Sequence, residues 1–264
     1  MSQQIQSQIE QITLQRYREL IQGGAIVVQD WYGTVHLQQI LNQFASATGA
    51  RARFFIVDAP LQILAQAADG WNAESLADGT FIFNYDLLNA SWSIAEGYAC
   101  WRADPSFNLN YHFWLIAQAL RSDFDIMPPT DIFGQLQYQT SQIFRDMIAF
   151  VAAHELAHFI KHDLARKLVE ASLTGSTPIS AMFFSRGLEI EADLLGLSLL
   201  VQAGYDPRGA LLSLAFMDYL DKFTGRQPHP LDPHPPASDR FTIVQQWLTN
   251  NGFPLPQIFE RIHI

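Results

Sequence analysis

The sequence predicts an α+β domain that is mostly helical and carries a small β-sheet at one edge. Three observations predict it. Apolar residues recur at intervals of three and four through several long segments, most clearly from Met182 to Ala203, where Leu188, Ala192, Leu195 and Leu199 fall on one helical stripe. Two short runs rich in Phe and Ile, Ala52 to Val57 and Thr80 to Tyr85, read as strands, with turn-prone Asp69-Gly70 between them. The chain has 264 residues, 48% hydrophobic and 16% charged, enough to bury the core of one large domain or two small ones.

Taken in order, Ile5, Ile9, Ile12, Leu20 and Ile21 recur at helical spacing in a Gln-rich segment that stops at Gly23-Gly24. A short strand, Ala25 to Val28, and a helix around Val35 to Thr48 follow. Residues 1–50 are therefore expected as a helical segment packed on a catalytic domain at 51–250, with 251–264 as a tail. Residues 89–147 crowd Trp92, Tyr98, Trp101, Phe107, Phe113 and Trp114 into one stretch, and Tyr111 to Arg121 reads as a helix that Asp125 to Pro129 ends. This stretch is either a satellite helical core or a lid or aromatic pocket selecting a hydrophobic substrate residue. Gln135 to Phe150 continues helically into the next motif, and Leu173 to Pro178 reads as a loop. Asp206-Pro207 is an N-cap and N1 pair opening a helix to about Phe223. Gln227 to Ser238 carries five prolines, and Arg240 to Asn250 returns to helix.

Residues 154–158 read His-Glu-Leu-Ala-His, and Glu189-Ile190-Glu191-Ala192-Asp193 begins thirty-one residues after the second histidine. On a helix, positions i and i+4 share a face, so His154 and His158 can turn ring nitrogens to one cation. Glu155 lies about 100° round the helix, where its carboxylate can act as general base toward a water that zinc activates. A catalytic zinc site keeps three protein ligands, so a third must come from elsewhere. The metzincin pattern would put it six residues after the second histidine, with a glycine three residues after it; Leu164 and Lys161 stand there. A carboxylate on the second helix is the better candidate. Glu189 and Asp193 are i, i+4 and face the same way, whereas Glu191 turns to roughly the opposite side and is expected to face solvent. Glu189 is assigned as ligand and Asp193 as acceptor for a ligand histidine N–H. Gly196, near the same face, would let the two helices approach closely.

The chain resembles the gluzincin metallopeptidases of the HtpX-like and CAAX-prenyl-protease type, including their minimal soluble relatives. Four blocks carry the resemblance: Asn72 to Phe83, Ala153 to His158, Ser185-Arg186 with Glu189 to Asp193, and His234 to Arg240. Gly204-Tyr205-Asp206-Pro207 is also similar. The resemblance implies a zincin-like domain with one zinc ion per chain on His154, His158 and Glu189, Glu155 as base and Asp193 orienting. It implies substrate contacts at Asn72, Ala73, Gly79 and Phe81, beside a strand bordering the cleft. His234 would donate to the oxyanion or bind zinc as a fourth ligand in a latent enzyme, unless it is a surface histidine; Arg240 would support that loop through a carboxylate or simply be exposed. His229 competes with His234 for the role. The chain departs from the family in lacking spanning helices, in the length of 89–147, and in His162, read as a polar residue at a helix end.

A net charge of −10 without a basic cluster argues against nucleic acid or an anionic membrane as partner and mildly favours basic or neutral polypeptides. One cysteine, Cys100, excludes an internal disulfide framework, and its neighbours suggest a core position. No basic-then-apolar leader and no run of about 18 apolar residues is visible, so no membrane insertion and a cytoplasmic location are expected. The expected activity is zinc-dependent cleavage of extended or unfolded polypeptide. The rival readings are a latent or regulatory zinc-binding protein with a capped cleft, and a hydrolase of a non-peptide amide. Oligomeric state is not legible.

Overall fold

The computed structural model describes residues 3–29, 31, 33–50, 52–58, 73–121, 136–174, 178–225 and 234–255. Among them are helices α1 (Gln3–Gln22), α2 (Thr34–Thr48), α3 (Tyr85–Ala103), α4 (Leu109–Arg121), α5 (Gln137–Lys161), α6 (Asp163–Thr174), α7 (Pro178–Ala203), α8 (Gly209–Thr224) and α9 (Ala237–Asn250). Four strands, β1 (Ile26–Val27), β2 (Arg53–Asp58), β3 (Ala73–Ser75) and β4 (Thr80–Asn84), form one sheet in the order β1-β2-β4-β3. The mostly helical α+β expectation is what the chain adopts.

Helix α5 is the axis. Phe144, Met147, Ile148, Ala149, Phe150, Ala152 and Ala153 bury it on every side, which explains why it shows no single apolar stripe. It packs against α7, α3, α8 and α2. The small side chains permit close approach. At Gly196 an added Cβ would stand 3.2 Å from the backbone nitrogen of His154, so α7 crosses α5 almost backbone to backbone. That is the close approach expected at Gly196.

The parallel pair β2–β4 runs in register from Arg53 opposite Thr80 to Val57 opposite Asn84, and β3 returns antiparallel along β4 with Glu74 opposite Ile82. This corrects the expected cleft edge. Thr80–Asn84 is an inner strand and buried throughout, while β3 forms the sheet edge among the described residues. Phe81 is 0% exposed within the main core, so it cannot touch a substrate. Gly79 supplies the left-handed turn residue between β3 and β4, with φ of 80° and its N–H bonded to the Leu76 carbonyl. Asn72, His229 and the loop residues 175–177 lie outside the described residues.

Two further boundaries differ from expectation. Leu37, Ile40, Leu41 and Phe44 of α2 sit in the same core as α5 and α7, so a division at residue 50 cuts through that core. In the aromatic stretch, Ile94, Ala99, Phe113 and Ile116 belong to that core too, and its described residues do not line the cavity around the zinc motif, which removes the lid reading for them. Cys100 is only partly buried. No described helix is long and apolar enough to cross a membrane.

At the start of α8, Gly209 abuts the α5 backbone, and Asp146 accepts a hydrogen bond of 3.1 Å from the Asp206 backbone N–H. Burial pushes the Asp146 carboxyl up to about 6, with the Asp206 charge adding, while that N–H, Arg145 and Arg208 oppose the rise. A folded pKa above the unfolded value of about 4 means that stability falls as pH rises from about 4 to about 6. Asp146→Asn is therefore expected to gain about 1–2 kcal/mol at pH 7.5 and nothing near pH 4, as read by urea unfolding at the two pH values.

Candidate metal centre and active site

His154, Glu155 and His158 share the last turns of α5. The helix ends at Lys161 because His162 adopts a left-handed conformation with φ of 54°, its N–H returning to the His158 and Phe159 carbonyls. That turn brings Asp163, the first residue of α6, back beneath the helix. Its Oδ2 accepts a 2.7 Å hydrogen bond from His158 Nδ1, and its Oδ1 accepts one of 2.9 Å from Arg166. Arg166 also donates to Glu191 on α7, so Glu191, half exposed, is tied to α6 rather than free in solvent.

The crossing of α5 and α7 sets the other half. Asp193 Oδ1 accepts from His154 Nδ1 at 2.9 Å, and Arg240 of α9 holds both oxygens of Asp193 at 2.8 and 2.6 Å. Burial would raise the Asp193 carboxyl, but Arg240 beside it, with His154, holds it at about 2. Arg240 stays charged although buried because Asp193 outweighs its desolvation.

With both Nδ1 atoms engaged by carboxylates, the two Nε2 atoms face each other at 3.1 Å. Glu189, 3% exposed, brings one oxygen within 3.4 Å of each. His154, His158 and Glu189 offer ligand atoms all within 4.8 Å of one another. Glu189 Oε2 is buried and takes no well-aligned hydrogen bond, although His234 Nδ1 stands 2.9 Å from it. Burial opposes charge on His158, yet the Asp163 hydrogen bond and Glu189 lift its pKa to about 10. Burial would raise the Glu189 carboxyl, and the three histidines hold it well below the usual range. Two imidazole nitrogens and a carboxylate converging within 4.8 Å of one another are a donor set that suits a divalent cation such as zinc.

The group opens on a cavity of about 1340 Å³, whose wall includes Glu155, Ala73, His162, His234 and Arg240. Glu155 is itself buried, close to His154 in exposure. Glu74 of β3 also lines the space. Burial raises its carboxyl even though Arg16 pairs with it, and the nearby charge of Glu155 adds to the rise.

Residues 169–248 match peptidase family M48, a span that holds Glu189, Asp193, His234 and Arg240. The mitochondrial metalloendopeptidase OMA1 of Schizosaccharomyces pombe is 29% identical over 150 residues, which cover 45% of this chain and 44% of that protein. Residues 169–248 are thus similar to the M48 metallopeptidases. The chain spans less than half the length of this curated relative. No solved structure matches the chain at a significant level.

Of the site residues expected from the sequence, His154, Glu155, His158, Glu189, Asp193, His234 and Arg240 lie together, Ala73 lines the same cavity, and Phe81 does not reach it. Arg240 holds Asp193 directly, while residues 226–233 of the proline-rich loop lie outside the described residues. Asp163 was not foreseen. Losing its grip on His158 is expected to weaken zinc binding about 10- to 100-fold in Asp163→Asn, measurable by competition with a chromogenic chelator.

Proposed function

We propose that this M48-type chain is a zinc-dependent endopeptidase acting on extended or unfolded polypeptide segments, with His154, His158 and Glu189 holding one zinc ion. A bound zinc ion would supply a Lewis acid and bring the pKa of water toward about 7. Glu155 takes the proton of the attacking water and hands it to the leaving amine nitrogen as the C–N bond breaks. His234, whose side chain is 62% exposed beside Glu189, donates an N–H to the carbonyl oxygen as negative charge develops there. Asp193 and Asp163 fix the two ligand rings through their Nδ1 atoms. The observation that carries the reading is the convergence of two Nε2 atoms and the Glu189 carboxylate on a cavity that Glu155 also lines. Substrate backbone would pair with the outer edge of β3, which bears Ala73 and runs along α5.

Zinc content and casein cleavage test this directly. The purified chain should hold about one zinc, lose cleavage on chelation and regain it when zinc is restored. Cleavage that persists in the metal-free chain, or a chain that binds no zinc, would overturn the proposal.

A further inference from the structure

Helix α1 passes along the cavity that holds the metal-ligating residues. Ile9, Thr13 and Arg16 form part of the wall together with Ala73, His154 and Glu155. The helix is weakly invested in the fold, since none of its residues belongs to the main core. Its apolar anchor is Leu20 with Val57, Leu76 and Ile82, flanked by Tyr17, and it also packs on α6. Ile12, Leu14 and Ile21 are exposed.

Polar contacts fasten it to the sheet edge. Arg16 Nε donates to both oxygens of Glu74 at 2.8 and 3.0 Å, and the Tyr17 hydroxyl lies 3.0 Å from Asp78 Oδ2 and 2.9 Å from Thr80 Oγ1. Glu74 belongs to β3, opposite Ile82 on β4. Ile82 belongs to the small cluster under α1, whereas neighbouring Ala73 belongs to the main core, so Glu74 shares the α1 face of the sheet. A mostly buried carboxylate needs a cation to stay charged, and among the described residues Arg16 is the one paired with it. A peptide pairing with β3 would set a side chain beside Glu74 on that same face. A basic side chain there keeps the carboxylate paired once Arg16 withdraws; a neutral or acidic one does not.

We propose that α1 is a strap along the substrate groove and that Arg16 holds, against Glu74, the position taken by a Lys or Arg side chain of the substrate. This rests on the peptidase reading and adds a substrate class to it. The net charge of −10 favours the same class of substrate.

The test uses the full-length, zinc-loaded chain with Glu155→Gln, to prevent turnover, and two labelled unstructured peptides that differ only in Lys against Gln. Adding Arg16→Gln should tighten the Lys peptide about tenfold, leave the Gln peptide within about twofold, and speed amide exchange in α1. Adding Glu74→Gln should remove the difference between the peptides. Equal effects on both peptides, unchanged exchange in α1, or a Lys preference that survives Glu74→Gln would overturn the inference. Zinc content and thermal unfolding verify that each variant is folded. Lys-selective binding with no cleavage of that peptide by the Glu155-intact chain would sink the peptidase reading and leave the strap standing. Cleavage without Lys preference would do the reverse.

Discussion

Glu155→Gln is expected to lower casein cleavage by about 10³-fold while zinc stays near one per chain. Glutamine keeps the size of the side chain and its place on α5, so the packing around a residue only 9% exposed should hold. What it cannot do is accept the water proton. Because that proton moves only as the bond to carbon forms, kcat and kcat/KM should fall together with KM little changed. A variant that loses zinc as well would make Glu155 a ligand. One that keeps a tenth or more of the wild-type rate would place the base elsewhere.

The second large effect concerns stability. Arg240→Met is expected to cost about 3–5 kcal/mol in urea unfolding, because it leaves the Asp193 carboxylate, 1% exposed, without its bidentate partner. The double variant Asp193→Asn with Arg240→Met should recover a good part of that loss, since it removes the buried charge together with its counter-ion. An additive double variant would mean that the pair does not act as a unit. Zinc affinity should fall in the double variant, as the His154 ring loses its carboxylate acceptor.

How much of this was legible in the sequence depends on how locally each feature is specified. His154, His158, Glu189 and Asp193 could be placed because helical periodicity alone fixes which side chains share a face. Asp163 could not. Lys161-His162-Asp163-Leu164 contains neither Gly nor Pro, and only the left-handed backbone at His162 turns the chain so that Asp163 meets His158. The strand Thr80–Asn84 was readable from its Phe and Ile content, but its inner position was not, because β3 consists of Ala-Glu-Ser with no β-branched or aromatic residue to announce it. Asp206-Pro207 does open a turn with Asp206 Oδ1 accepting from the Arg208 N–H, yet the helix itself starts at Gly209. The apolar spacing of α1 was plain, while the site it borders depends on a pairing between Arg16 and Glu74, fifty-eight residues apart.

The Gly196 crossing divides the molecule into a fixed floor and an exchangeable roof. Because His154 and Glu189 ride on helices locked at near backbone contact, the spacing of the proposed metal ligands is insulated from whatever happens along the opposite wall. The first helix carries no such constraint, since the main core is complete without it. Chains built on this plan can change what reaches the metal by altering some twenty residues at one end, and leave the chemistry where it is.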